Sequence, residues 1–450
     1  MILITLTLTI ITLFLILRLG KNLTEIILVS SLLAIGILGF TPFILTEYVG
    51  FNYSKSFDLI RICSYTLLSV FLFVFTYLVK VKRIQLESLS TGVEKKHLFI
   101  LLILTSLFVL RGYYLPMLGW DAYALYDARA VMYTDGLIQS ELVNISRYDS
   151  TNSLYYFAYP PMTSILHTML YADNFETPMI IYGVFFVIYM LFMYLIIIKS
   201  KLNRIVKFLL FTAAVFNPMI VEQTNIAYTN LPTITFQIAA LYLMLNIDKS
   251  NIYRNSILMG LMLMFSSWTR ILEPYYIAFL IPWIFMIFKI KVRLVKRLFI
   301  VFITVIITIS SRYLWHMFVE NVVGSTDGFA LNVGVVLSSV DVGLSLSNLI
   351  DVIFYLYTSM RGINIYILAT IIVLLYKYTN NKMLFSNYFV PVGLSILTIT
   401  IITVLGTLYF SITYSWWDKI PGSLLRSNMI LVPLLCILLS SIYGLSLIHI

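Results

Sequence analysis

The 450-residue chain is short of charge, histidine and cysteine: 11% of its residues are Asp, Glu, Lys or Arg, four are histidine and two are cysteine. Each shortage removes a class of protein. A soluble domain of this length needs a far larger polar shell, so the scarcity of charge excludes one. Cys63 and Cys436 both fall inside apolar runs, which argues against a disulfide framework and against a thiolate metal site. His97, His167, His316 and His449 are far apart in sequence, so no pair at helical spacing signals a metal. A divalent metal is left open as a cofactor, with no ligand set to hold it. No glycine-rich phosphate loop followed by lysine occurs, and no motif supports a Ser-His-Asp hydrolase. The net charge of +10 is scattered over short loops, so nucleic acid is not an expected partner.

What the chain has instead is apolar length. It is 60% hydrophobic, with a mean hydropathy of +0.95. Lipid accepts such surfaces provided that each backbone group is satisfied within its own helix. Runs of about 17 to 25 apolar residues cross a bilayer as helices, and roughly thirteen are expected here. The fold class is therefore all-α and polytopic. The first run, near residues 1–17, has no basic leader and no small-residue cleavage site, so it reads as a retained helix.

Basic residues set the expected orientation, because cytoplasmic loops retain Lys and Arg. Twenty of the thirty cluster in alternate loops, near 18–21, 80–96, 199–207, 249–254, 289–297 and 377–382. Only Glu25, Glu87, Glu94 and Asp248 among the 20 acids share that side. This distribution predicts an outer N-terminus, an inner C-terminus and two long outer loops, near 118–176 and 317–361. Loops of that length carry function or small helices of their own. Leu344 to Met360 mixes apolar and polar residues at helical spacing, as an interfacial or re-entrant helix does. Residues 1–97 are expected to be accessory helices, and 98–450 the main membrane domain.

Asp121 lies at the start of the first long loop, in the run Gly119-Trp120-Asp121-Ala122-Tyr123-Ala124-Leu125-Tyr126-Asp127-Ala128-Arg129. A carboxylate at the edge of a hydrocarbon slab is costly unless it pairs or works. The plainer reading is a loop acid that caps a helix or pairs with Arg129. Asp127 could equally pair with Arg129 or Arg111, or orient an acceptor or metal. Further along stand Tyr155-Tyr156-Phe157-Ala158-Tyr159-Pro160-Pro161-Met162, whose rings suit the headgroup level. Tyr155, Tyr156, Tyr159, Trp416 and Trp417 could stack on a sugar, although most aromatics here are lipid contacts.

An outward loop with an early aspartate, followed by Tyr159-Pro160-Pro161-Met162-Thr163-Ser164, resembles the GT-C superfamily of integral-membrane glycosyltransferases. Within it the likeness is to the branch of protein mannosyltransferases and lipid A aminoarabinose transferases. Ala227-Tyr228-Thr229-Asn230-Leu231-Pro232, Trp268-Thr269-Arg270-Ile271-Leu272-Glu273-Pro274 and Ser423-Leu424-Leu425-Arg426 are further points of similarity. Relatives often carry Tyr-Ala-Asp-Leu-Pro at the first of these, so Thr229-Asn230 is a departure. The resemblance covers roughly 98–450, and the three helices before it are extra to the common pattern. It implies sugar transfer from a polyprenyl-phosphate donor to an extracytoplasmic glycan, lipid or protein hydroxyl, with inversion at the anomeric carbon.

The residue chemistry is compatible with that expectation. A sugar hydroxyl is a poor nucleophile and needs a carboxylate to take its proton, a role for Asp121. The leaving lipid phosphate needs fixed cations, and Arg426 and Arg270, at outer helix ends, are candidates because guanidinium grips phosphate as a fork. Arg426 could instead be a snorkelling headgroup contact, and Arg270 could pair with Glu273 three residues on. Arg129, Tyr159 and Glu273 complete the candidate substrate-binding set. Two other readings stay open: a transporter or flippase of a lipid-linked sugar or other solute, and a glycan polymerase or ligase. The first is disfavoured by charges at span ends and by the lack of repeated halves. The second is disfavoured by the lack of a histidine in the 317–361 loop beyond His316 at its edge.

Overall fold

The computed structural model describes residues 1–17, 22–81, 95–119, 122–148, 159–200, 202–270, 274–323, 342–379, 388–413 and 421–443. Among the described residues there is no strand, and the one extended pairing is an isolated parallel bridge between Leu118 and Ile226. The helices are α1 (Ile2–Ile16), α2 (Leu23–Glu47), α3 (Tyr53–Lys80) and α4 (Lys95–Tyr114). A π-helical turn (Ala122–Asp127) leads into α5 (Ala128–Thr134), α6 (Gln139–Tyr148) and α7 (Met162–Ala172). Next come α8 (Ile180–Ile198), α9 (Arg204–Val215), α10 (Pro218–Glu222), α11 (Asn230–Leu245), α12 (Ile252–Thr269) and α13 (Ile277–Lys289). The remainder are α14 (Leu294–Val323), α15 (Val342–Ser359), α16 (Arg361–Thr379), α17 (Phe389–Thr413), α18 (Pro421–Ser427) and α19 (Leu431–Tyr443).

Among the described residues six helical stretches are long and apolar enough to cross a membrane, and the chain is a multi-pass membrane protein. A seventh arises if Asn348–Ser359 and Arg361–Leu375, bent by 94° at their break, form one broken span. Length and apolarity do not take the count to the expected thirteen. Some remaining helices are short, as α1, α11 and α13 are, and α12 carries Arg254, Asn255 and Ser256 in its first two turns. Helices walled by protein can be short or partly polar, since lipid never meets those groups.

The centre of the fold is α11, all sixteen residues of which are buried. It lies beside α8, α12 and α13. By contrast α3 is almost entirely exposed along its apolar length, a surface suited to lipid. Serine and threonine hydroxyls inside the bundle largely donate to carbonyls one turn back, as Thr235 does to Leu231 and Thr308 to Thr304. Close crossings use glycine. A Cβ on Gly183 would lie 2.6 Å from the Phe108 carbonyl oxygen, and one on Gly112 would lie 2.7 Å from that of Met179, so α4 and α8 meet backbone to backbone.

The two ends of the bundle are chemically distinct. At one, Asn22 caps α2 by accepting from the Glu25 N–H at 2.8 Å. The buried Glu25 carboxylate then accepts from Tyr242 at 3.0 Å and from Arg254 at 3.2 Å. Pairing and hydrogen bonding are what make a buried carboxylate tolerable. At the other end Asp173 holds Arg61 at 3.4 Å, and Glu47 accepts from the Gln139 N–H at 2.8 Å. Arg270 and Arg426 also lie at this second end.

Candidate functional site

The site is built where α12 stops. Its last turn is fixed from outside: the Trp268 indole donates to the Gly39 carbonyl at 2.8 Å and packs edge-on against Phe40 and Phe43, with centroids at 5.0 and 4.9 Å. Such ring pairs add about 0.5–1.5 kcal/mol beyond the area they bury. Thr269 donates to the Met162 sulfur at 2.9 Å, and a Cβ on Gly39 would strike Met162 at 2.6 Å. Arg270 then leaves the helix in an extended conformation, with φ −147° and ψ 114°. Its guanidinium donates to Asn230 Oδ1 at 2.7 Å and to Ser427 Oγ at 2.8 Å. Three segments distant in sequence are thereby joined through one side chain.

Arg426 reaches the same place from α18. Its guanidinium stands over the Tyr228 ring, 4.5 Å from the centroid, an arrangement worth about 0.5–2 kcal/mol. Behind it the chain passes through a short 3-10 turn, Asn428–Ile430, before α19. Asn428 Oδ1 accepts from Thr403 at 2.7 Å and from Tyr275 at 3.3 Å, a buried polar cluster that fixes the turn. Arg270 and Arg426 line one pocket together with Asn230, Thr233, Ile234, Gln237, Ser266, Ser267, Tyr275, Tyr276 and Ser427. The described lining is polar and cationic, with no Asp or Glu in it.

The first long loop folds over this end. The Leu118 N–H donates to the Asn225 carbonyl at 2.8 Å, bringing the loop's start against residues 225–228. Gly119 follows with φ +96°, and a Cβ there would lie 2.9 Å from the Tyr228 hydroxyl. Both the left-handed backbone and the close approach require glycine at that position. The π-helical turn after it brings Tyr126 to 6.5 Å from Tyr228. Turns of this kind are rare and concentrate at functional sites. Tyr228 is thus the hinge between the loop and Arg426.

Among the residues picked out from the sequence, Arg270 and Arg426 share the cavity. Asp121 and Glu273 lie outside the described residues, as do Tyr155, Tyr156, Trp416 and Trp417. Asp127 is described. Its carboxylate accepts from Tyr171 at 2.5 Å and meets His167 Nδ1 at 3.3 Å, whereas the sequence suggested Arg129 or Arg111 beside it. The fully buried His167 is bonded at both ring nitrogens, the second to the Tyr182 hydroxyl at 3.1 Å. Burial, with the hydrogen bond given to Asp127, holds the Tyr171 phenol above its ordinary pKa. Arg129 is buried and donates to the Tyr159 carbonyl at 2.8 Å, tying the start of α5 to the Pro160-Pro161 segment. Pro161, which needs no N–H partner, opens α7. Tyr159 enters this geometry through its backbone.

Ser427, Gln237 and the two serines of α12 were not singled out from sequence, and Asn230 was noted only as a departure from the resembled pattern. A signal existed for some of them: Asn230, Thr233 and Gln237 fall on one face of α11 at spacings of three and seven, in a largely apolar helix. No group of three His, Cys, Asp or Glu side chains able to hold a metal occurs among the described residues. Comparison with protein-family models, curated proteins and solved structures finds no match.

Proposed function

We propose that the protein is a membrane glycosyltransferase that moves a sugar from a polyprenyl-phosphate donor to a hydroxyl of an extracytoplasmic acceptor, with inversion. The observation that carries the reading is the cavity at one end of the bundle shared by Arg270 and Arg426, 156 residues apart in sequence. On this reading the acceptor oxygen attacks the anomeric carbon as the bond from that carbon to the phosphate oxygen breaks. Asp121 takes the acceptor proton, and the departing polyprenyl phosphate keeps the electron pair. Negative charge grows on the phosphate, where two preorganised guanidiniums stabilise it most. Asp121 follows Gly119 by two residues, and Gly119 packs on the tyrosine that carries Arg426, which supports a shared site.

The finer architecture belongs to the same proposal: about thirteen spans of GT-C type with interfacial helices outside, residues 1–97 as accessory helices, and the site facing outward from a plasma membrane. Asp127, bound to His167 and Tyr171, then acts by holding the π-helical turn next to the base, and Arg129 by holding Tyr159 at the rim. The test is transfer from a radiolabelled polyprenyl-phosphoryl sugar to endogenous acceptors in membranes. Asp121→Asn should abolish product, and Arg426→Ala should weaken donor binding. Full activity of Asp121→Asn would dispose of the base, and unchanged donor affinity of Arg426→Ala would remove that residue. The 94° bend between α15 and α16 favours a second reading, a carrier of lipid-linked sugar, since broken helices are common in transporters. Movement of labelled lipid across the membrane with no glycosylated product would select it.

A further inference from the structure

Gln237 is the anomaly of the cavity. Its side chain is 98% buried, lines the hollow, and its Oε1 has no hydrogen-bond partner among the described residues. Buried amide oxygens are nearly always satisfied, because leaving one bare costs about 1–3 kcal/mol. It lies seven residues beyond Asn230 on the same helix, roughly 10 Å further into the bundle. Across from that stretch of α11, α12 contributes Ser266 and Ser267, one turn inside Arg270. The Thr233 hydroxyl, between the two levels, gives its proton to the Thr229 carbonyl at 2.7 Å and keeps acceptor capacity free for the cavity. The hollow thus has a cationic mouth and a neutral, hydrogen-bonding floor.

We infer that this floor is a recognition subsite for the uncharged, hydroxyl-bearing part of the ligand, with Gln237 as the residue that reads it. A bare phosphate held by the two arginines at the Asn230 level stops roughly 10 Å short of Gln237 along α11. A single pyranose joined to that phosphate spans the distance, and its hydroxyls both donate to Gln237 Oε1 and accept from Ser266 and Ser267. The inference rests on the transferase reading and adds to it where the sugar is distinguished from the carrier. Gln237 sets specificity by a ground-state contact and is not a catalytic residue.

The test uses the full-length protein in lipid nanodiscs and two kinds of probe: polyprenyl phosphate, and the same lipid bearing one glucose, galactose or mannose on its phosphate. Wild type should bind at least one glycosyl form more tightly than the bare phosphate. Gln237→Leu, which matches the volume without the amide, should weaken that form by about tenfold and leave bare-phosphate binding unchanged. Gln237→Asn, a milder change in case the leucine variant does not fold, should give a smaller loss in the same direction. Arg426→Ala should weaken both lipids together. Equal losses for both lipids in the Gln237 variants, no loss in either, or no glycosyl preference in wild type would overturn the subsite while leaving phosphate binding intact. A wild-type protein that binds neither lipid would remove the transferase reading, and this inference with it.

Discussion

Replacing Arg270 by methionine tests how the cavity is held together and what it holds. Among its hydrogen bonds to described residues are those at 2.7 Å to Asn230 and 2.8 Å to Ser427. A bond from an ionised donor contributes about 1.5–3 kcal/mol when it is dry. Arg270 is only partly buried, and water entering the cavity replaces much of what is lost, so the two effects do not simply add. The expected cost to stability is about 1–2 kcal/mol. The cost to an anionic ligand is larger, because a desolvated guanidinium–phosphate pair is broken with its partner left in place, a change of about 2–5 kcal/mol. At about 1.4 kcal/mol per tenfold, that is a loss of roughly 30-fold or more in affinity for polyprenyl phosphate. Arg270→Lys keeps the charge and loses the fork, so it should fall between. Thermal unfolding in detergent micelles reads the first quantity, and equilibrium lipid binding reads the second. A folded Arg270→Met protein that binds the lipid as wild type does would refute the assignment of this arginine to phosphate.

Three further outcomes are expected, the first from the proposed transferase chemistry and the others from the geometry. Asp121→Asn should lower transfer by about 10²–10⁴-fold, the ordinary range for loss of a general base, with donor affinity retained in the binding assay. Gly183→Ala places a Cβ 2.6 Å from a backbone oxygen that cannot rotate away, and should cost about 1–3 kcal/mol in unfolding experiments; an unchanged melting curve would mean that α4 and α8 do not cross where described. Tyr171 has a phenol pKa raised above 10.0 by burial first and by its bond to Asp127 second. Its contribution to stability is therefore full below about pH 10 and is lost as pH rises through the folded value, because the folded state keeps a proton that the unfolded chain gives up. Tyr171→Phe should flatten the alkaline fall in stability, and an identical fall in that variant would show that Tyr171 does not cause it.

The membrane class and the helical architecture were legible because lipid imposes one rule on every span, and apolar length reports it directly. The number of spans was less legible. Helix α11 has only sixteen residues and α12 carries Arg254, Asn255 and Ser256 in its first two turns, since neighbouring protein, not lipid, covers both. At the site, Arg270 and Arg426 were recognisable as cations at helix ends, but sequence could not show that they meet. Their meeting depends on Trp268 anchoring α12, on Gly39 admitting Met162, and on the 3-10 turn at Asn428, which are tertiary facts. Local spacing misled for Asp127, where the nearby Arg129 looked a natural partner. Tyr171 and His167, about forty residues away, hold the carboxylate, and Arg129 turns to the Tyr159 carbonyl. Gln237 could have been noticed as a polar position in a buried helix, though only the cavity gives it something to face.

On the proposed transferase reading Asp121 and Arg426 open into one cleft, so proximity between those two positions is the decisive measurement. The native thiols, exposed Cys63 and buried Cys436, would first be replaced by alanine. Asp121→Cys and Arg426→Cys would then be combined and treated in membranes with a short bifunctional maleimide. The expected result is an intramolecular cross-link between them that polyprenyl phosphate suppresses. Efficient labelling of each single-cysteine protein with no cross-link in the double variant would contradict it.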